Sequence, residues 1–238
     1  VYVTPQGRTR FDKVHELDAE SRHLVLLCEN EEGYRNLSYL VSMGWTEGFY
    51  IKPRIDLELL RQYSGGLIAL SACLAGEIPR RLRNGEYENA KAYALELSHI
   101  FGPDRFYLEL QDHGIRDQAI VNQGILRIHR ETGLPMVCTN DAHYLRKEDA
   151  EAHDVLLCIQ TGKTIDDENR MRYEPRNFYL RSEAEMAALF AGYEGALENT
   201  SKIADMCNLD FSFGKYHLPE FRLPEGYDSF SYLKKLCD

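Results

Sequence analysis

Three stretches of the chain repeat one order of apolar and polar positions: residues 57–73 (LELLRQYSGGLIALSAC), 95–113 (LELSHIFGPDRFYLELQDH) and 125–143 (ILRIHRETGLPMVCTNDAH). Each opens with apolar residues at helical spacing, meets a glycine, and then runs almost continuously apolar for four or five positions. Ala90, Tyr93, Ala94, Leu97, Ile100 and Phe101 fall on one helical face, and Ile120, Val121, Gly124, Ile125 and Ile128 on another. Gly65-Gly66, Gly102 and Gly133 stand where a helix C-terminus takes a left-handed residue, and Pro103 and Pro135 block helical continuation. Strands apolar on both faces are those covered on both sides. With residues 23–30 (HLVLLCEN) as an earlier strand, the pattern predicts repeated βα units around a parallel sheet.

Past residue 146 the pattern changes. Residues 147–162 read as a helix and 165–180 as a charged loop leading into a short extended piece. Ser182 caps a further helix, with Glu185 completing the S-x-x-E box. Residues 196–208 read as another helix, and the proline-punctuated 213–226 as an extended linker.

In parallel βα folds reactive groups gather where strands end. Cys73, Asp112, His113, Asp141 and His143 all stand at such ends. Asp141 and His143 form D-x-H; if the strand runs on to them, positions i and i+2 point the same way and offer a carboxylate and an imidazole to one centre. Taken alone, D-x-H also describes a capping Asp beside a surface His. Cys73 reads either as a small buried hydrophobe or as a thiolate ligand. His113 could bind metal, contact a phosphate or cap the next helix, and is assigned behind the ligands. His23 opens its strand, so position alone puts it at the opposite end from the ligands as a structural histidine. His15, His99, His129, His153 and His217 occupy helix-like or tail contexts and are read as non-ligands, and Cys28, Cys138, Cys158 and Cys207 as core. No phosphate-binding glycine loop and no G-x-S-x-G elbow occurs.

Charge narrows the choice. The net charge of −10 over 238 residues argues against a simple nucleic-acid clamp, although bound metal ions can supply the positive charge that phosphate esters need. The short basic stretches Arg80-Arg81-Leu82-Arg83 and Arg170-Met171-Arg172 read as a solvated helix face and a charged loop. Six cysteines scattered without a CxxC pair indicate reduced thiols and a cytoplasmic location. No apolar run approaches the roughly 20 residues that span a bilayer.

Segments 23–60, 66–82, 106–115, 137–167 and 178–186 together resemble the polymerase-and-histidinol-phosphatase (PHP) domain family, in the branch found in bacterial replicative DNA polymerases. The resemblance implies an α/β fold: a partial, distorted (β/α)7 PHP barrel over residues 1–180, lacking its first strands, with a C-terminal helical extension and linker over 181–238. Matched motif by motif, it implies His23, Cys73, Asp141 and His143 as metal ligands, overriding the positional reading of His23, with Asp141 and His143 as the catalytic pair. It implies zinc, manganese or iron at this site and magnesium at a separate polymerase site. The family's front motifs, an H-x-H pair, an Asp-His pair and a Glu ahead of a "YV" segment, have no counterpart, so the chain reads as a truncated piece of the site with little activity of its own. The implied functions are DNA synthesis by the whole polymerase and a metal-dependent phosphoesterase or 3′–5′ exonuclease site. DNA, deoxynucleoside triphosphates, a sliding clamp, a proofreading subunit and a clamp loader are the implied partners, and exposed strand edges invite self-association. The rivals are a scaffold that binds polymerase partners, and a stand-alone phosphoesterase; segments 48–56 and 169–182 favour the polymerase branch over the latter.

Overall fold

The computed structural model describes residues 1–216 and 218–238, so the reading of His217 lies outside the described residues. In chain order the elements are β1 (Tyr2–Val3), α1 (His15–Asp18), β2 (Arg22–His23), β3 (Val25–Cys28), α2 (Glu31–Thr46), β4 (Phe49–Tyr50), β5 (Lys52–Ile55), α3 (Leu57–Gln62), β6 (Leu67–Leu70) and α4 (Glu77–Arg83). Then follow α5 (Tyr87–Phe101), β7 (Phe106–Leu110), α6 (Arg116–Thr132), β8 (Met136–Cys138), a 3-10 turn (Lys147–Asp149), α7 (Ala150–Thr161), α8 (Glu183–Leu189), α9 (Glu198–Met206) and α10 (Ser229–Cys237).

The strands form two four-stranded mixed sheets, ordered β2-β1-β5-β4 and β3-β6-β7-β8. Among the described residues they do not close into a barrel. In the larger sheet β6, β7 and β8 are parallel, as their helix–glycine–strand grammar predicts, but β3 runs antiparallel to β6, with Val25 opposite Leu70. The purely parallel sheet expected from the sequence is therefore corrected at its first strand. The smaller sheet was not legible, because three of its four strands are two residues long and carry no alternation, and the fourth, β5, contains Pro53.

Alternation sorts the larger sheet into two faces. Leu67 and Ala69 of β6, Phe106, Leu108 and Leu110 of β7, and Met136 and Cys138 of β8 join the main core with residues of α5 and α6. Ile68, Leu70, Tyr107 and Val137 face the other way and meet Ile203 of α9. Each of the fully buried Val, Leu, Ile, Phe and Met side chains among them stabilises the fold by about 1.5–3 kcal/mol. Gly133 ends α6 in the left-handed conformation, as read. Gly124 lies beneath Leu82 of α4 so closely that an added Cβ would stand 2.7 Å from a Leu82 methyl. Ile120 departs from its predicted face and is exposed.

The Ser182–Glu185 capping box forms in full, with reciprocal bonds at the start of α8. Met186, Phe190, Ala196 and Ile203 are buried, and α9 is tied to β8 where Asn199 Nδ2 donates to the Met136 carbonyl at 2.7 Å. All six cysteines are free. No helix among the described residues is long and apolar enough to cross a membrane.

Candidate metal centre

The second face of the larger sheet is apolar only along its lower half. Continuing from Tyr107, residues 109 and 111 put Glu109 and Gln111 on that face, where with Ala72, Cys73, Thr139 and Asp141 they line a cleft of about 650 Å³. His23, Leu26 and Leu70 are also on its walls.

The direction of β3 resolves the question of His23. A strand start belongs at the opposite end from the ligands only in a parallel sheet. Because β3 is antiparallel to β6, its beginning lies beside the end of β6, and the His23 amide donates to the Ala75 carbonyl at 3.1 Å. His23 Nδ1 and Cys73 Sγ consequently stand 3.7 Å apart. Burial pushes the Cys73 thiol above its ordinary value, reinforced by the carboxylates of Asp141 and Glu109, while burial holds the His23 imidazole below its own. Such a thiol ionises when a cation replaces the solvation it has lost.

Asp141 and His143 also converge, although not by the predicted route. The strand ends at Cys138, three residues short of Asp141. The chain then turns, Asp141 taking a positive φ of 43°. The turn, rather than strand alternation, brings Asp141 Oδ1 to 3.5 Å from His143 Nε2. The His143 amide donates to the Phe178 carbonyl at 2.8 Å, and its ring packs against Tyr173 and Phe178. The loop carrying those aromatics is fastened by Arg170, which holds Asp154 of α7 with two hydrogen bonds. The reading of this loop as merely charged missed that role.

His113 serves as a brace. It is buried, its Nε2 donates to the Asn140 carbonyl at 2.7 Å, and its Nδ1 accepts from Gln118 Nε2 at 2.9 Å. Its ring stacks on Phe178 with centroids 4.1 Å apart. Both nitrogens are committed, so it fixes the turn that presents Asp141. Asp112 accepts from the Gly114 amide and closes a turn.

Glu109 is the residue the sequence reading passed over. It is 5% exposed and accepts hydrogen bonds from the Ala72 amide, Gln111 Nε2 and Thr139 Oγ1. Burial, not these bonds, dominates its titration and raises its pKa. A lone carboxylate in the otherwise apolar run FYLEL was the available signal. Ala72, held by that bond, has a φ of 64°, a strained value for a residue with a Cβ, immediately before Cys73.

These donors suit a borderline-soft divalent metal: one thiol, two imidazoles and one carboxylate, with Glu109 and the orphaned buried Oε1 of Gln111 behind them. They stand as two pairs, His23 with Cys73 and Asp141 with His143. Among the described residues no three His, Cys, Asp or Glu side chains are grouped closely enough to hold an ion.

Comparison with known proteins agrees with this architecture. Residues 1–113 match the PHP domain family. Over nearly its whole length the chain is similar to DNA polymerase III alpha subunits. It is 45% identical to that of Borreliella burgdorferi, over 94% of the chain and 20% of the relative. With the subunit of Thermus aquaticus identity is 44%, over 99% of the chain and 20% of the relative. With that of Treponema pallidum it is 40%, over 96% and 20%. The chain thus spans about a fifth of the length of these relatives.

Proposed function

We propose that the chain is part of a bacterial replicative DNA polymerase, the DNA polymerase III alpha subunit, and that its cleft belongs to a PHP-type phosphoesterase or 3′–5′ exonuclease site. The observation that carries this reading is the meeting of His23, Cys73 and Asp141 on one cleft, with His143 against Asp141. The whole protein would extend DNA from deoxynucleoside triphosphates with magnesium at a separate site, in the cytoplasm, alongside clamp, clamp-loader and proofreading subunits.

His23, Cys73, Asp141 and His143 would hold zinc, manganese or iron. A bound divalent metal would supply a Lewis acid that acidifies water and neutralises phosphate charge. The protein's own contribution is placement. Glu109 anchors the Ala72 amide and so aims Cys73, His113 anchors Asn140 and so aims Asp141, and Tyr173 and Phe178 restrict the His143 ring. The apolar wall of Leu26 and Leu70 limits water on one side.

Cobalt(II) titration tests this directly. Wild-type protein should show the charge-transfer absorption of a cobalt–thiolate bond, Cys73→Ser should lack it, and Asp141→Asn and His143→Ala should weaken cobalt binding at least tenfold. Identical titrations for all four proteins would refute the assignment. The grouping of the donors into pairs rather than a trio favours a second reading, a scaffold with a weakened metal site. A metal-loaded parent polymerase that releases no 3′-terminal nucleotide, and whose Asp141→Asn variant synthesises DNA normally, would select the scaffold.

A further inference from the structure

A second concavity, of about 520 Å³, lies on the other side of the loop that carries Cys73. Leu74 and Ala75 of that loop line it, while Cys73 itself lines the metal cleft. Four cations, Arg22, Lys52, Arg80 and Arg83, surround it, with Glu20 the one carboxylate on its walls. That is a reversal of sign in a chain of net charge −10.

The cations are not equivalent. Arg22 is consumed by structure: it is buried and bonds Glu77 at 2.7 Å and Glu20 at 3.1 Å. Arg81 turns away from the groove, bonding Glu77 at 2.7 Å and lying over the Tyr93 ring. Arg80 and Arg83, three residues apart on α4, share the groove side. Their pairings are long and exposed, Arg80 with Glu20 at 4.0 Å and Arg83 with Asp117 at 3.8 Å, contacts that contribute little in water. Lys52 is exposed and makes no salt bridge among the described residues; its ammonium lies 5.7 Å from the Tyr2 ring, which in turn packs edge-on against His23. Lys52 thus stands between groove and cleft.

The backbone at this rim is strained. Ile51, between β4 and β5 and on the groove wall, has a φ of 63°, an outlier for a β-branched side chain, and its side chain remains 52% exposed. That strained conformation forms the tight turn that presents Lys52.

We propose that this groove binds the phosphate backbone of a single-stranded nucleic acid whose end occupies the metal cleft, with Lys52, Arg80 and Arg83 as the phosphate contacts. The proposal rests on the phosphodiester reading of the cleft for the direction of the strand, but its chemistry is separate: cations in a concave surface raise the local concentration of a polyanion without any metal. A strand fits better than an isolated anion because three cations line one groove whose walls adjoin those of the metal cleft at Arg22–His23 and Cys73–Leu74. An acidic polypeptide is the competing occupant; no donor-acceptor edge in the groove favours it.

The test is fluorescence anisotropy of a labelled oligothymidylate against the 238-residue protein, in chelator, from 50 to 200 mM salt. Three contacts to a single strand predict a log–log salt slope of about −2, a loss of roughly 20-fold across that range. The triple variant Lys52→Gln, Arg80→Gln, Arg83→Gln should lose at least tenfold in affinity at 50 mM salt and most of that slope. Arg35→Glu, an exposed control on α2, should bind within twofold of wild type, with circular dichroism melts confirming that all variants fold. Because the titration is run in chelator, binding is read without any metal, so failure of the cleft reading and failure of the groove read out separately. Absence of salt-dependent binding by wild type, unchanged binding by the triple variant, or equal competition by polyglutamate at matched charge would each overturn the proposal.

Discussion

The two sheets treat buried charge in opposite ways. Around the smaller sheet nearly every buried charge has a partner. Arg8 holds Asp18 with two hydrogen bonds, Arg10 reaches Asp56 at 3.1 Å, and Arg22 meets Glu77 at 2.7 Å. Arg54, fully buried, spreads its guanidinium over the carbonyls of Gly48, Asp18 and Asp12. At the C-terminal edge of the larger sheet Glu109, Asp141 and Cys73 converge without a salt bridge to any Lys or Arg among the described residues, His143 being Asp141's one ionic neighbour. Burying paired charges is tolerable; burying unpaired ones is expensive. The first region is architecture already neutralised, and the second is a set of donors whose electrostatics call for a cation.

The largest effect that would break this contrast lies in the paired region. Arg54→Met would strand three buried carbonyls and should destabilise the protein by about 3–5 kcal/mol in urea unfolding. A change below about 1 kcal/mol would mean that the smaller sheet does not depend on its compensated charges.

Next come two histidines that follow parallel strands of the same sheet. His113→Ala removes two buried hydrogen bonds and a stacked ring, so a loss of about 2–3 kcal/mol is expected. His143→Ala, at an exposed residue beside Asp141, should change stability by less than about 1 kcal/mol yet impair metal binding. If instead His113→Ala weakens cobalt binding tenfold while leaving the urea midpoint intact, His113 is a ligand and the separation of brace from ligand fails.

The same contrast explains what the sequence disclosed. The helices α5 and α6 and the apolar strands β6, β7 and β8 followed from periodicity, because both faces of those strands are buried. Of the glycine ends, Gly133 closes α6 left-handed as expected, whereas Gly102 closes α5 with an extended ψ and α3 closes at Tyr63, ahead of Gly65-Gly66. The direction of β3 did not, since an apolar run carries no sign of whether its neighbour is parallel. His23 was misplaced by position both for that reason and because it closes the separate short strand β2 rather than opening β3. The resemblance to the PHP family supplied the placement that periodicity could not. Asp141 and His143 were found by spacing, yet their meeting depends on a left-handed residue at Asp141 that no spacing rule anticipates. Glu109 went unread because a carboxylate two positions after Tyr107 looks like a flaw in a strand until the sheet is folded and one face opens into the cleft. Arg80 and Arg83 looked like a solvated helix face; only their separation from Arg81, which bonds Glu77, shows two directions on one helix.

The smallest effect is also the most direct reading of the difference, because it gives the two regions opposite pH dependence. Asp18, bonded to Arg8 and to the Val14 amide, has its pKa lowered to about 2. A depressed carboxylate stabilises the fold above its unfolded value near 4, and that stabilisation is lost as pH falls toward 2. Glu109 is raised by burial. A raised carboxylate favours the fold below its unfolded value, about 4.3, and the advantage disappears as pH climbs through the elevated folded value. Urea midpoints from pH 2 to 8 should therefore respond in opposite limbs: Asp18→Asn flattens the acid limb, and Glu109→Gln flattens the decline above pH 4 while leaving the acid limb in place. Added zinc should reduce the Glu109-dependent decline in wild type and leave the Asp18-dependent limb unchanged, since only the cleft's donors call for a cation. If both variants flatten the same limb, the two carboxylates share one environment and the distinction between neutralised architecture and cation-seeking site is wrong.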